Sequence, residues 1–189
     1  MKTIQRSEIV DYVSYEENRR AFQNEVFAAK ARRWMHLGDC FTFLFENALT
    51  VRYQVQEMMR AEKIVREKDI QHELETCNSL LGGDGELGCC FMIEIEDPQK
   101  RDLKLREWID LPKHIYAELQ DGAKVYARFD TAQIGAGRLS SVQYLKFPVH
   151  GSTPVALGVD LPGCETKVFL TDDQRAALQD DLGRQQNSA

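Results

Sequence analysis

The chain has 189 residues, a formal net charge of -6 and a pI near 5.3, and 43% of its residues are hydrophobic. This length fits one domain with a single core. The acidic balance argues against a nucleic-acid partner, because neutralising phosphates requires a basic face. No apolar run reaches the roughly 20 residues that a membrane helix requires, and residues 1–12 lack the apolar centre of a signal peptide. We therefore expect a cytoplasmic protein that binds neither nucleic acids nor membranes.

Five cysteines occur in the chain, and no two of them are spaced as a C-x-x-C pair. An odd number without that spacing favours neither a zinc ribbon nor a secreted disulfide framework. Cys89 and Cys90 are adjacent, and adjacent residues of a strand point to opposite faces of its sheet. We therefore expect this pair to be structural rather than chelating, and all five thiols to be reduced.

The first predicted helix runs from Tyr15 to about Arg33, with Ser14 as its N-terminal cap. Its apolar residues follow helical spacing and are Tyr15, Phe22, Val26 and Ala29. Three basic residues suit the negative end of the helix dipole, and we interpret them as a surface cluster: Lys30, Arg32 and Arg33. A turn at residues 37–39 precedes Cys40–Phe45, whose apolar character on both faces predicts a central strand covered on both sides.

Polar side chains are densest between Glu46 and Asn78, where the sequence predicts two helices. Asn47 or Thr50 can cap the first helix, and its apolar face is formed by Val51, Val55, Met58, Met59 and Val65. On a helical wheel Glu62 falls in the middle of this apolar stripe. A carboxylate there is expected to stay ionised beside a cation or, without one, to have a raised pKa and act as an acid or base.

These two helices are predicted to be separate rather than continuous. The apolar stripe of the second helix is rotated by about 120 degrees from that of the first, and it consists of Ile70, Leu74, Cys77 and Leu81. One straight helix cannot bury both stripes, so we place a break at residues 65–68. Gly82 and Gly83 are expected to end the second helix.

The second half of the chain predicts mainly strands, because short apolar runs alternate with turn residues. The predicted strands span residues 89–96, 115–119, 125–129, 141–149, 155–159 and 166–170. Asp97–Pro98 opens a helix that continues to about Ile109, and a capping box at Thr171–Gln174 begins the last helix. The fold class is therefore α+β, with N-terminal helices, including the bent two-helix segment, packed on a largely antiparallel β-sheet. We expect one domain over residues 1–182 and a flexible tail at 183–189.

The two-helix segment carries a candidate acid–base centre, which consists of Glu57, Arg60, Glu62, His72 and Glu73. Glu57 and Arg60 are three residues apart and can pair on one helix face. Asp69 and His72 have the spacing of the carboxylate-x-x-histidine motif of di-iron bundles. The candidate metal ligands are therefore His72, Asp69 and Glu62, although no specific motif indicates iron or another transition metal, and no cofactor is assigned. The alternative is a ladder of salt bridges on solvated faces.

Nine short strings of the sequence also belong together as a pattern. They are Leu44–Asn47, Thr50, Gln56–Met58, Arg60–Glu62, His72–Leu74, Asn78, Gly85–Leu87, Arg128–Asp130 and Ser141–Tyr144. This pattern resembles the bacterial family known as domain of unknown function 3501 over nearly the whole chain. The family has no established activity, but its genes tend to lie near those of rubrerythrin-like proteins and cysteine-rich iron–sulfur oxidoreductases. The resemblance therefore implies a redox setting, while Cys77, Cys89 and Cys90 fall outside the pattern, which weakens a thiol-based mechanism.

Two functional hypotheses follow from these observations. The first is a redox-linked accessory, or a ligand- or metal-binding protein, that acts with an iron–sulfur oxidoreductase or a rubrerythrin-like partner. The second is an enzyme with an acid–base centre on the two-helix segment, assisted by Arg60 or Arg128. The position of Glu62 is expected to distinguish them. A cavity shared with His72 or Glu73 favours a site, and an arginine partner in a closed core favours a structural role.

Overall fold

The computed structural model describes residues 3–135 and 137–186 and confirms the α+β class. The helices of this part of the chain are α1 (Tyr12–Ala31), α2 (Ala48–Glu62), α3 (Glu67–Asn78), α4 (Pro98–Glu107) and α5 (Asp172–Gln186). The strands are β1 (Trp34–Leu37), β2 (Phe41–Glu46), β3 (Leu87–Ile93), β4 (Ile115–Glu118), β5 (Lys124–Tyr126), β6 (Arg128–Phe129), β7 (Ile134–Gly135), β8 (Arg138–Leu139), β9 (Val142–Phe147), β10 (Ala156–Val159) and β11 (Thr166–Phe169). No helix among these residues is long and apolar enough to cross a bilayer.

Two antiparallel sheets form the centre of the molecule. One has the strand order β1-β2-β3-β9-β6, the other has the order β11-β10-β4-β5, and β7 and β8 form a separate ribbon. Only Ala127 separates β5 from β6, so this continuous stretch of chain forms a strand in each of the two sheets. The Ala127 N–H donates to the Ile115 carbonyl at 2.9 Å. At the other end β1 lies beside β11, where a Cβ on Gly38 would be 3.5 Å from Thr166 Oγ1.

One apolar core lies between the two sheets. The five-stranded sheet contributes four fully buried phenylalanines, and the ring centroids of Phe43 and Phe91 are 4.9 Å apart. The four-stranded sheet contributes Ile115 and Leu157, and α4 and α5 add Leu105 and Leu178. All six residues of β2 are buried. The prediction of a central strand covered on both sides is therefore confirmed, because only burial on two faces favours such an unbroken apolar run.

A second, smaller core lies between α2 and α3. It contains the whole predicted stripe of α3, and Val51, Val55 and Met59 of the stripe predicted for α2, whereas Met58 is half-buried and Val65 is exposed. With two residues of the N-terminal segment, its buried members are Ile4, Ile9, Val51, Val55, Met59, Ile70, Leu74, Cys77, Leu80 and Leu81. The predicted break between the helices is confirmed. Helix α2 ends at Glu62, Lys63 adopts a left-handed conformation with φ 51°, and α3 begins at Glu67. The chain turns there, so each helix buries its own stripe.

Two side-chain amides hold the N-terminal segment against these helices. Asn78 accepts from the Ile4 N–H at 2.8 Å and donates to the Ile4 carbonyl at 2.9 Å. Gln56 accepts from the Val10 N–H at 2.8 Å and donates to the Val10 carbonyl at 3.1 Å. A primary amide carries both a donor and an acceptor, so each can satisfy a backbone residue as a neighbouring strand would. These amides belong to the polar set of the two-helix segment, and here their role is structural.

Several predicted boundaries are shifted in the structure. Helix α1 begins three residues before the predicted start, because Asp11 and not Ser14 is its cap and accepts from the N–H groups of Val13 and Ser14 at 3.0 Å. The capping box of α5 forms as predicted between Thr171 and Gln174. That helix continues to Gln186, past the predicted boundary at position 183, and residues 187–189 lie outside the described part of the chain.

The interpretation of Arg33 as a surface residue at the end of a helix is wrong. Its guanidinium donates to both carboxylate oxygens of Asp181 in α5, at 2.7 and 2.9 Å, and the two residues are 5% and 1% exposed. Asn47 donates to the same carboxylate at 3.2 Å. The planar guanidinium and the planar carboxylate form two parallel hydrogen bonds, which fixes the geometry of this contact. A buried ion pair therefore joins the end of α1 to α5 and to the cap of α2.

We predict that Asp181→Ala lowers the free energy of unfolding by about 3–5 kcal/mol, because it leaves the Arg33 guanidinium buried without its counter-charge. Asp180→Ala changes an exposed carboxylate on the same helix and is the matched control, with an expected loss under about 0.5 kcal/mol. Urea denaturation followed by circular dichroism measures both values. Equal losses in the two variants would show that the buried pair contributes nothing to folding.

Candidate functional site

The structure distributes the predicted acid–base residues over separate places. Glu57 and Arg60 come together on the face of α2 that packs against α1. Glu73 accepts from the thiol of Cys77 at 3.3 Å, at the side of the smaller core. Glu62 and His72 are both exposed. Within the described residues, the recorded partners of Glu57 are therefore groups of α1 and Arg60 rather than the other members of the predicted centre.

Glu57 is an ionised carboxylate held between two helices. It accepts from Arg19 at 2.7 and 2.9 Å, from the Tyr15 hydroxyl at 2.7 Å and from Arg60 at 3.4 Å. The hydrogen bonds from Arg19 have the largest effect and lower the pKa of Glu57 to about 2. A carboxylate with so low a pKa is a weak general base at neutral pH. The arrangement fastens α1 to α2 and is suited to a structural role.

The prediction that Glu62 lies on an apolar face is wrong. The wheel that placed it there includes Val65, but α2 ends at Glu62 and Val65 is 68% exposed. The apolar stripe therefore stops at Met59, one turn before the carboxylate. Glu62 is exposed and lines none of the described cavities, so neither expected surrounding, a shared cavity or an arginine in a closed core, is found among the described residues. A functional role of Glu62 stays a prediction.

The candidate metal ligands on α3 and α2 do not converge. The Asp69 carboxylate pairs with Arg66 at 3.0 Å, and His72 is exposed on the opposite side of α3 from the buried Ile70 and Cys77. In residues 3–135 and 137–186, no group of three or more His, Cys, Asp or Glu side chains could hold a metal ion. The pattern of charges on α3 matches the salt-bridge alternative, since ion pairs three residues apart on an exposed face need no ligand.

We predict that the stabilisation contributed by Glu57 depends on pH. Its pKa is lowered from an ordinary 4.5 to about 2, so the contribution is present above pH 4.5 and is lost as the pH falls toward 2. Glu57→Gln should therefore lower the melting temperature at pH 7, and its difference from wild type should shrink between pH 4.5 and 2. Glu62→Gln is the exposed control and should change the melting temperature little at any pH. A constant difference across this range would contradict the assigned ionisation.

The outer face of the five-stranded sheet is a second place where chemically distinct groups converge. Strand register places Leu44, Cys90 and Tyr144 in one row across β2, β3 and β9. Rows on either side complete the outer face, which we define as Trp34, His36, Thr42, Leu44, Glu46, Cys90, Met92, Arg128, Val142, Tyr144 and Lys146. Cys89 points to the inner core instead, so the two adjacent thiols diverge as predicted.

A groove of about 470 Å³ lies at one edge of the outer face. It is lined by Ser79, Arg128, Phe129, Asp130, Gln133, Tyr144 and Lys146. Two of these residues are cationic: Arg128 pairs with Glu86, and Lys146 donates to the Leu81 carbonyl at 2.8 Å. The groove thus combines cations with aromatic surface between the end of α3 and strands β6 and β9. The sequence pattern pointed to Arg128 and Tyr144, but not to their meeting in one groove.

Burial raises the pKa values of two acidic side chains on the outer face, Glu46 and Cys90. Burial raises the pKa of Glu46, and the Thr50 hydroxyl donates a hydrogen bond to its carboxylate. Burial also raises the pKa of Cys90 to about 12, with a further contribution from Glu46. A thiol with so high a pKa is scarcely ionised at neutral pH and is therefore a poor nucleophile. This agrees with the prediction that the thiols of this region are structural.

The largest of the described cavities lies elsewhere and was not predicted. It measures about 550 Å³ and is lined by the β1–β2 turn, the β3–α4 connection, α4 and the β10–β11 turn, including Cys40, Phe41, Lys100, Lys104, Trp108 and Cys164. The two turns were recognisable as Gly38–Asp39 and Pro162–Gly163, and each is followed at once by a cysteine. Their spatial proximity depends on the pairing of distant strands, which no local pattern contains.

The fold and these surfaces define an α+β protein whose described residues include neither a metal-binding group nor an assembled acid–base centre. The chain belongs to the family described as protein of unknown function (DUF3501), whose model matches residues 3–182. It is also similar to a solved structure, a novel protein of unknown function from Burkholderia pseudomallei K96243, with 28% sequence identity and a TM-score of 0.87. That similarity covers 96% of this chain and 100% of the other. No curated protein matches the chain.

Proposed function

We propose that this protein is a non-catalytic, cytoplasmic accessory of a redox system, and that the outer face docks an iron–sulfur oxidoreductase or a rubrerythrin-like partner. The single observation that carries the docking role is the exposure of apolar groups on a sheet face. Trp34 and Val142 are each 36% exposed and Tyr144 is 46% exposed. Apolar side chains that are clustered on one surface typically mark an interaction site.

The composition of the outer face suits a protein partner better than a small ligand. Its half-buried and exposed members include two aromatic side chains and Met92, types that are enriched where proteins meet. The face is shallow, because the strands present their side chains side by side rather than around a closed cavity. Residues Trp34 and Tyr144 stand at opposite sides of the buried Leu44, so they supply two anchors for one partner surface.

The charges at the edge of the outer face favour an acidic segment of the partner. Arg128 and Lys146 lie opposite each other on β6 and β9 and line the groove. Charge complementarity of this kind raises the rate of association and fixes orientation more than it raises affinity. The redox setting rests on the gene neighbours of the family that the sequence resembles, and the docking role rests on the structure.

The alternative of an enzyme with an acid–base centre on the two-helix segment has less support. Such a centre requires a group whose pKa lies near neutrality and a second group within hydrogen-bonding reach of the substrate. Glu57 is instead ionised and paired with Arg19, which lowers its pKa to about 2, and Glu62 and His72 are exposed. Arg60 pairs with Glu57 and with Glu16 of α1, between the two helices. These contacts support a scaffold that presents a binding surface better than they support a catalytic cleft.

The proposal is tested by affinity purification of the tagged protein from its own host, with mass spectrometry of the recovered proteins. Wild type should recover an iron–sulfur oxidoreductase or a rubrerythrin-like protein. Val142→Lys places a charge at one corner of the outer face and should lower that recovery by about tenfold, equivalent to about 1.4 kcal/mol.

Leu103→Lys is the matched control, because Leu103 is also an exposed apolar residue, at 63%, but lies on α4. It should recover the partner as wild type does. Equal melting temperatures of the three proteins exclude misfolding as the cause. Equal recovery by both lysine variants would remove the outer face as the docking surface, and recovery of no redox protein by wild type would overturn the accessory role.

A further inference from the structure

The cavity of about 550 Å³ contains two cysteine side chains from distant parts of the chain. Cys40 follows the β1–β2 turn and Cys164 follows the β10–β11 turn, and both are partly buried in the cavity wall. The β1–β2 turn lies against the start of β11, two residues after Cys164, since a Cβ on Gly38 would lie 3.5 Å from Thr166 Oγ1. Of the five cysteines, Cys77 and Cys89 are buried in the two cores and Cys90 lies on the outer face. Cys40 and Cys164 are therefore the two thiols that share a cavity.

We infer that Cys40 and Cys164 form a reversible disulfide when the protein meets a hydroperoxide, which makes this cavity an oxidation site distinct from the proposed docking face. A thiolate of the pair attacks a peroxide oxygen, the O–O bond breaks, and the released oxygen leaves as water after it takes up a proton. The resulting sulfenic acid is attacked by the second thiol, which forms the S–S bond and releases a second water. Two thiols and one hydrogen peroxide thus give one disulfide and two waters.

The surroundings of the pair allow this chemistry but make it slow at neutral pH. Burial raises the pKa of both thiols, and the nearby ammonium of Lys104 opposes that effect at each of them. The charged groups that face the two thiols are Asp39, Lys100, Lys104, Glu107 and Glu165. The thiolate is the reactive form. While the pH is below the thiol pKa values, the rate of oxidation should therefore rise about tenfold for each unit by which the pH is increased.

A metal site is the competing interpretation of two neighbouring thiols. Zinc and iron–sulfur sites require further thiolate, imidazole or carboxylate ligands, typically four in all. Cys40 and Cys164 are not part of any group of three or more such side chains in residues 3–135 and 137–186 that could hold a metal. The two thiols are thus better suited to bonding with each other than to chelation.

The disulfide would also close the seam between the two sheets. Strands β1 and β11 lie side by side there but belong to different hydrogen-bonded sheets. Among the described residues, no strand pairing joins β1 to β11, so the disulfide would be a covalent connection between the two sheets at this point. It would link residues that are 124 positions apart in sequence, from residue 40 to residue 164. Cross-links that close long loops restrict the unfolded chain, so the oxidised protein should melt at a higher temperature than the reduced protein.

The purified full chain is treated with hydrogen peroxide at pH 7.5 and pH 8.5, alkylated under denaturing conditions, digested and analysed by mass spectrometry without reduction. The expected product is a peptide pair joined through Cys40 and Cys164, formed about tenfold faster at the higher pH, while the other three cysteines are alkylated. Dithiothreitol should separate the pair. Cys40→Ser and Cys164→Ser should each abolish the product and the rise in melting temperature.

Cys90→Ser is the matched control, because it removes a partly buried thiol outside the cavity and should leave the product unchanged. Three results would overturn the inference: alkylation of Cys40 and Cys164 at the wild-type extent after oxidation, a disulfide that joins either residue to another cysteine, or a link between two copies of the chain. Because this test uses the isolated protein, its failure leaves the docking proposal unaffected, and the failure of docking leaves the disulfide unaffected.

Discussion

The buried contact of Arg33 with Asp181 is the interaction on which the arrangement of the helices depends. It joins the end of α1 to α5, while Asn47 brings the cap of α2 to the same carboxylate. The backbone of Arg33 contributes as well, because its carbonyl accepts from the Phe45 N–H at 3.0 Å. One residue thus ties two helices and the end of β2 together. Since a charge in a low-dielectric interior needs its partner, these elements keep one relative placement.

This placement leaves β2 with two different environments. Its inner side chains pack with those of β3 and β9 in the larger core, while its outer side chains, Thr42, Leu44 and Glu46, are buried on the opposite face of the sheet. At Gly88 of β3, the chain that follows α3 packs directly against the sheet. A side chain at position 88 would collide with the Leu80 carbonyl. The exposed aromatic groups of this face lie on other strands, Trp34 on β1 and Tyr144 on β9. The exposed apolar groups to which we assign docking therefore flank a buried centre of the face.

Much of the fold is predictable from the sequence, whereas the roles of individual polar residues are not. The apolar run of β2, the mismatch of stripes between α2 and α3 and the two late hairpins are local patterns, and the structure contains all of them. The buried role of Arg33 is not predictable from its neighbours in sequence, because its partner lies 148 positions away. The exposure of Glu62 is not predictable from helical spacing alone, because that spacing continues to Val65 in the sequence whereas α2 ends at Glu62. Cys40 and Cys164 line one cavity because strands of two different sheets lie side by side, and no short sequence pattern predicts that arrangement.

The amides of Gln56 and Asn78 have one further consequence, which concerns assembly. Both bind the backbone of residues 4 and 10 rather than their side chains, so they recognise any extended segment whose apolar groups can replace Ile4 and Ile9. The same segment of a second copy meets this requirement fully. Exchange of N-terminal arms between two chains would reproduce these four amide–backbone hydrogen bonds, as domain swapping does for an exchanged element.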